Sequence, residues 1–155
     1  MRTFESVGDL EAIVGKEVIV GEWITIDQDR VNQFAEATDD RQWIHVDPAR
    51  ASQGPFGGPI AHGFLTLSLF PYLMAEAITI NNTVMGVNYG LNKVRFPSPV
   101  PVGSRLRPHF KLKSIEHLPP QLGHAGVQLV WDVTIEREGS DKPVCVAETV
   151  SRRYG

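Results

Sequence analysis

Hydrophobic and polar residues alternate through much of the C-terminal half of this chain, which is the pattern of half-buried β-strands. Ser104–Glu116 and Val127–Glu136 show this alternation most clearly, and Val144–Ser151 follows as a final strand. Tyr89–Phe96 precedes them and predicts a further strand. Nearer the N-terminus, Val18–Ile26 is almost continuously apolar and rich in β-branched residues. It predicts a strand that is buried on both faces.

Helical spacing of hydrophobic residues separates the early strand from the later ones. A short amphipathic helix is predicted from Asp27, which is placed to cap it, to about Thr38. Asp47 and the proline after it predict the start of a second short helix. The longest helix is predicted over Gly63–Ile80, which is apolar on almost every face and should therefore be surrounded by protein. Pro71 should kink it, because proline cannot donate a backbone hydrogen bond.

Together these elements predict an α+β fold in which a sheet wraps around one helix. A chain of 155 residues is the size of one domain with its own core, so a single domain over 1–155 is expected. The net charge of −3 gives no general attraction to phosphate backbones, and a nucleic-acid partner is not expected.

No membrane or secretory segment is predicted. The most apolar run, Phe64–Ile80, is shorter than the roughly 20 residues that a bilayer requires, and Glu76 interrupts it. The first ten residues lack the apolar stretch of a secretory signal. The single cysteine, Cys145, excludes an internal disulfide and fits a reducing compartment. The expected location is therefore the cytoplasm.

Asp40 and His45 are the first candidates for chemistry, because the segment after the first helix can bring both side chains to one point. A carboxylate and an imidazole that share one water could activate it and return a proton to a substrate. The same spacing also allows a purely structural role, in which Asp40 caps a turn and His45 packs. With Asp47 and His62 they could instead form a two-histidine, one-carboxylate metal site, although no HExxH motif or cysteine pair accompanies them.

Gly63 is a candidate for binding an oxyanion, because the first N–H groups of a helix have no partner within it. It could equally serve only to let the chain enter the helix tightly. His62, beside it, is a candidate for substrate binding. On the strand Ser104–Glu116 the basic side chains share one face, where Arg105 and Arg107 could bind a phosphorylated ligand. That face could also simply be solvated.

Three segments resemble those of one known family: residues 34–51 (FAEATDDRQWIHVDPARA), residues 60–63 (IAHG) and residues 92–103 (NKVRFPSPVPVG). They are similar to the signature of the MaoC-like (R)-specific enoyl-CoA hydratases, and within these to the NodN-like branch. The resemblance covers most of the chain, and the combined motifs are far more specific than an aspartate and a histidine five residues apart. It favours the functional over the structural interpretation of Asp40, His45 and Gly63.

The resemblance implies a hot-dog fold, an antiparallel sheet wrapped around one long central helix, which is normally dimeric. It implies hydration of a trans-2-enoyl-CoA to an (R)-3-hydroxyacyl-CoA, so an acyl-CoA thioester is the expected substrate, with no metal or redox cofactor. By position, Asp40 and His45 match the catalytic pair that holds the attacking water. Gly63 matches the glycine whose N–H binds the thioester oxygen, and Gln42 takes the place of an asparagine that helps to orient the active site.

Three residues depart from the commoner family pattern, which has glycine, asparagine and proline where this chain has Asp39, Gln42 and Trp43. Asp39 adds a second carboxylate, which would favour protonation of one of the two if both were buried. Trp43 adds bulk near the loop. These departures motivate a first alternative, a non-catalytic acyl-CoA-binding hot-dog subunit. The second alternative is a hot-dog acyl-CoA thioesterase, which would have the same fold and hydrolyse the thioester.

Overall fold

A computed structural model describes residues 1–155. The helices are α1 (Gln28–Thr38), α2 (Trp43–Val46), α3 (Pro48–Ala51), α4 (Gly63–Ser68) and α5 (Phe70–Ala77), with a 3₁₀-helix at Val7–Ile13. The strands are β1 (Arg2–Phe4), β2 (Val18–Val20), β3 (Ile24–Thr25), β4 (Ile78–Ile80), β5 (Met85–Arg95), β6 (Arg105–Gln121), β7 (His124–Arg137) and β8 (Cys145–Tyr154). No helix combines the length and the hydropathy needed to cross a bilayer.

The main sheet is antiparallel, with strand order β2–β6–β7–β8–β5 and with β3 also paired to β6. β1 and β4 form a separate, parallel pair. β5 pairs with β8 along one side only, so its other edge carries backbone N–H and C=O groups with no strand beside them.

The core lies between one face of this sheet and the helices α4 and α5. The alternation in the sequence decides which side chains enter it: Phe110 of β6 and Trp131 of β7 are fully buried and meet edge to face, with ring centroids 6.4 Å apart. Leu65 and Leu73 come from the helices. Cys145 is fully buried in β8, and burial raises the pKa of its thiol to about 12. This is the predicted α+β hot-dog arrangement.

The central helix differs from the prediction, because it is two helices that meet at Leu69 and end at Ala77 rather than near Ile80. The break at Leu69 lies about one turn before Leu73 and close to Pro71. Pro71 has no N–H, so it cannot continue the helical hydrogen bonding. α1 is therefore the longest single helix. The prediction that protein surrounds the central helix is also wrong for this chain alone, because Phe64 is 67 % exposed.

The early strand also differs from its prediction. It is split into β2 and β3, and Val18 and Val20 are about half exposed because β2 lies at an edge of the sheet. Between the two strands, Gly21 donates its N–H to the carbonyl of Pro108 (2.9 Å). Pro108 has no N–H to return, so the ladder is interrupted at this point.

Candidate functional site

The first helix and the turn after it place Asp40. The carboxylate of Asp27 accepts a hydrogen bond from the N–H of Arg30 (2.8 Å), so the predicted cap is present, and α1 ends at Thr38 as predicted. Asp39 then adopts a left-handed conformation (φ 61°), and its carboxylate pairs with Arg41 (2.7 Å). The two neighbouring carboxylates are not buried together, because Asp39 is 80 % and Asp40 52 % exposed.

His45 lies on the short helix α2 and not on an irregular loop, and it is buried. Its Nδ1 lies 2.6 Å from the carbonyl oxygen of Ile60. A carbonyl can only accept, so Nδ1 carries the proton and donates it, and Nε2 keeps a free lone pair. Burial lowers the pKa of His45, as does the neighbouring His62 ring, while the bond to Ile60 and the charge of Asp40 act in the opposite direction. His45 is therefore suited to act as a neutral base.

His62 lies directly beneath these two residues and is only 3 % exposed. Its Nε2 donates to the backbone carbonyl of Asp40 (2.9 Å) and lies 4.0 Å from the Asp40 carboxylate. Its ring stacks on the ring of His45, with centroids 3.8 Å apart and planes 23° from parallel. Phe34 of α1 packs against it, with centroids 4.9 Å apart. His62 thus faces protein on several sides, which gives no support to a direct contact with a substrate.

The side chains of Asp40 and His45, the two candidates for acid and base, lie close together. One potential ligand atom from each of Asp40, His45 and His62 lies within 4.8 Å of the other two. Asp47, the fourth residue of the suggested metal set, instead caps α3 by accepting from the N–H of Arg50 (3.1 Å). Nε2 of His62 is the ring nitrogen nearest the Asp40 carboxylate, and it already donates its proton to the Asp40 carbonyl, so it has no lone pair to offer a metal ion. The cluster is better suited to holding a water than to chelating a metal.

Gly63 follows His62 and begins α4, and its N–H makes no hydrogen bond within the chain. The ring of Phe96 lies against its α-carbon, where a β-carbon would be 2.9 Å from the ring. An unpaired N–H thus directly follows His62 in the chain, and it is available to donate to an oxyanion.

A cavity of about 670 Å³ runs beside the two central helices. Leu67, Pro71 and Met74 line it from one helical face, and strands β5 and β8 line it from the other side. Most of this lining is apolar, but Arg153 lies at the wall with no hydrogen-bond partner for its Nε, and burial lowers its pKa. The cavity has the shape and polarity to hold a hydrocarbon chain.

Gln42 and Trp43 stand at the entry to α2, outside the acid and base cluster. The side chain of Gln42 is exposed and does not cap the helix. The ring of Trp43 lies under the guanidinium group of Arg50 (4.4 Å) and against Gly54, where a β-carbon would be 2.9 Å away. Trp43, which departs from the family pattern, therefore anchors the loop that contains Gly54.

Arg105 and Arg107 are not brought to this site. They pair with Glu138 (2.9 Å) and Glu136 (3.0 Å), and both guanidinium groups lie over the ring of Trp23. Their donors are engaged on the face of the sheet that points away from the core, which agrees with the solvated alternative.

Three contributors to the site were not singled out from the sequence: the ring of Phe34, the carbonyl of Ile60 and the ring of Phe96. The amphipathic pattern of the first helix does not predict the contact between Phe34 and His62. No sequence signal marks the carbonyl of Ile60, because every residue has one.

Comparison with known proteins identifies the family. Residues 9–126 match the MaoC like domain. The chain is 55 % identical to 3-hydroxyacyl-thioester dehydratase Z of Mycobacterium tuberculosis over 152 residues, 98 % of each chain. It is 42 % identical to nodulation protein N of Rhizobium meliloti over 149 residues, 94 % of this chain and 89 % of the relative.

Among solved structures, the monoamine oxidase regulatory protein of Archaeoglobus fulgius superposes with a TM-score of 0.76 at 21 % identity, covering 99 % of this chain and 96 % of that one. This likeness shows the shared fold. The two sequence relatives show the NodN-like branch that the motifs predict. The chain therefore belongs to the MaoC-like dehydratase family, and it is a hydro-lyase, an enzyme that adds water to a double bond or removes it.

Proposed function

We propose that this protein adds water to a trans-2-enoyl-CoA to give an (R)-3-hydroxyacyl-CoA, and catalyses the reverse dehydration. The observation that carries this proposal is the convergence of Asp40 and His45 on His62, the residue directly before Gly63, whose N–H is unpaired. The relative from M. tuberculosis is named as a dehydratase of 3-hydroxyacyl thioesters, which is the same reaction read backwards.

Each part of the site matches one need of the reaction. A water held between the Asp40 carboxylate and the free Nε2 of His45 loses a proton to this pair while its oxygen bonds to C3 of the substrate. The electron pair of the double bond moves towards the thioester oxygen, and C2 then receives a proton from the same pair. The N–H of Gly63 stabilises the developing oxyanion, and losing such a donor typically costs about 2.7–4 kcal/mol.

The acyl chain would occupy the cavity beside the central helices. Leu67, the first helical residue of its lining, lies four positions after Gly63, which is about 6 Å along a helix. A thioester carbonyl at Gly63 could therefore direct its hydrocarbon chain into the cavity. The apolar lining supports a hydrocarbon group there.

The direct test is hydration of crotonyl-CoA, followed as loss of the enoyl absorbance, with the handedness of the product checked by an (R)-specific dehydrogenase. We expect turnover by the wild type, and a loss of at least 100-fold in Asp40→Asn and in His45→Gln. Asp39→Asn is the matched control, since it removes the adjacent carboxylate, which is paired with Arg41. Equal rates for Asp40→Asn and Asp39→Asn, or an (S) product, would refute the proposal.

The thioesterase alternative would direct the same water to the carbonyl carbon. A thiol reagent distinguishes the two reactions, because hydrolysis releases free CoA and hydration does not. We expect no thiol release during loss of the enoyl absorbance. The non-catalytic alternative predicts acyl-CoA binding without any turnover, which calorimetry beside the same assay would detect.

We propose further that two copies of the chain assemble through β5. Four of its apolar side chains, Met85, Val87, Tyr89 and Leu91, have exposed fractions of 40–59 %. An exposed apolar edge strand of 11 residues is an aggregation hazard unless it is covered. Antiparallel pairing of β5 with itself across a two-fold axis would cover it with the same surface on both copies.

Sedimentation equilibrium tests this assembly. The wild type should show twice the chain mass of 17.2 kDa. Leu91→Lys should shift the equilibrium towards the single chain, because a charge on the strand opposes pairing. Leu122→Lys is the control, since Leu122 is 90 % exposed at the turn between β6 and β7. A wild-type protein of single-chain mass, or equal dissociation by both variants, would contradict the proposed interface. We propose, lastly, that the protein acts in the cytoplasm, which its single cysteine, Cys145, supports.

A further inference from the structure

His62 is a buried imidazole to which the hydration mechanism gives no role. Only one of its two ring nitrogens has a partner: Nε2 bonds to the carbonyl of Asp40, while Nδ1 is buried with no partner. A buried polar atom without a partner costs free energy, commonly about 1–3 kcal/mol. A leucine or phenylalanine would fill the same space without that cost, so the bond made by Nε2 is the feature of His62 that a hydrophobic residue cannot supply.

That bond holds the main chain of Asp40 and leaves its carboxylate free. The carbonyl accepts at 2.9 Å, whereas the nearest carboxylate oxygen is 4.0 Å from the same nitrogen. The carboxylate of Asp40 makes no hydrogen bond within the chain, and the side chain is half exposed. Its position is therefore set by its backbone, which follows the left-handed turn at Asp39. His62 is the side chain that ties this backbone to the interior.

The same ring also supports the base. His62 stacks on His45 at a centroid distance of 3.8 Å, and Phe34 packs against His62 (4.9 Å). One buried ring thus touches both members of the pair, one through a hydrogen bond and one through its face. Its own chain position, directly before Gly63, links the pair to the unpaired N–H as well.

We infer that His62 is a positioning residue, which sets the separation of Asp40 and His45 through its hydrogen bond to the Asp40 carbonyl. This inference rests on the proposed hydratase function. It replaces the substrate contact that the sequence suggested for His62. Because His62 acts through Asp40, its loss should lower kcat and leave KM for the thioester nearly unchanged.

Two substitutions separate the hydrogen bond from the stacked ring. His62→Gln keeps a donor at a reach similar to that of Nε2, and His62→Phe keeps a ring but no donor. In the crotonyl-CoA assay we expect kcat to fall about 10–100-fold in His62→Phe and by less than about 5-fold in His62→Gln, with KM within 2-fold of the wild type in both. A rise in KM with unchanged kcat would overturn the inference and restore a substrate contact. A loss of kcat in His62→Gln as large as that in His62→Phe, or larger, would give the hydrogen bond no special part and would also overturn it.

A double-mutant cycle distinguishes positioning from a general weakening of the fold. Because His62 acts by positioning Asp40, the His62→Phe substitution should lower kcat less than 3-fold when the Asp40→Asn substitution is already present. An undiminished loss in that background would contradict the inference. If His62→Phe does not fold, as judged by its thermal unfolding, His62→Met fills the volume without a donor and takes its place.

Crystal structures of the two variants give a reading that does not depend on turnover. We expect the distance between Asp40 and His45 to increase in His62→Phe and to be kept in His62→Gln. Unchanged distances in His62→Phe would refute the positioning role even if the enzyme is active. A wild type without hydratase activity would refute the proposed function alone, and the two crystal structures would then decide about His62.

Discussion

A methyl group added to Gly63 would collide with the ring of Phe96, and the size of this collision predicts the behaviour of Gly63→Ala. The new β-carbon would lie 2.9–3.0 Å from three ring carbons. Carbon atoms in contact prefer about 3.5–4.0 Å, so the ring must move by roughly 0.5–1 Å. Phe96 is 41 % exposed and can move towards solvent. The cost in stability should therefore be at the low end for overpacking, about 1 kcal/mol.

The expected effect on catalysis is much larger. Alanine keeps the N–H of residue 63, but its methyl group displaces groups beside that N–H, and a displacement of about 1 Å beside the reacting group can cost about 100-fold. We therefore expect kcat on crotonyl-CoA to fall about 100-fold in Gly63→Ala, while Tm falls by only about 2–4 °C. A stability loss of that size leaves nearly all of the protein folded, so it cannot account for the lost activity.

Gly58→Ala is the matched control, because it adds the same methyl group at a glycine with no heavy atom within 4 Å and no positive φ. Both variants are compared by crotonyl-CoA turnover and by calorimetric Tm. Activity of Gly63→Ala within 2-fold of the wild type would refute the close approach of the thioester to residue 63. A Tm loss far above that of the control, with activity lost in proportion to unfolding, would assign Gly63 a packing role only.

Two further predictions concern ionisable groups. Burial lowers the pKa of His45, so activity that needs its neutral form should persist to a pH below its ordinary value of about 6.5 and be lost as pH falls through the lowered pKa. The free energy of unfolding should also decrease as pH falls below about 6.5, because the unfolded chain takes up this proton more readily. Both effects should be absent in His45→Gln, and an acid limb of the wild-type rate profile above pH 6.5 would contradict the burial argument. Arg153→Met should raise Tm, because it replaces a guanidinium group with an unpartnered Nε by an apolar side chain of similar length. A fall of several degrees in scanning calorimetry would mean that this guanidinium has a partner in the assembled protein.

Local signals in the sequence were sufficient for most of the elements. The cap at Asp27, the cap at Asp47 and the later strands were predicted close to their observed places, because caps and alternation depend on residues within a few positions of one another. The disturbance near Pro71 was predicted for the same reason, although the helix is broken and not merely kinked. The burial of Val18–Ile26 was predicted wrongly, since β-branched composition does not reveal whether a strand lies at an edge.

The amino-acid order alone singled out Asp40, His45 and Gly63 as candidates, because a family motif records which residue types recur at which spacing. It could not reveal what holds them. The bond from His62 to Asp40 joins residues 22 positions apart, and the bond from His45 to the carbonyl of Ile60 spans 15. Both depend on how the loop folds back over the start of α4. Only the tertiary structure decides which nitrogen of each ring is occupied, because that depends on the groups that folding brings within about 3 Å of it.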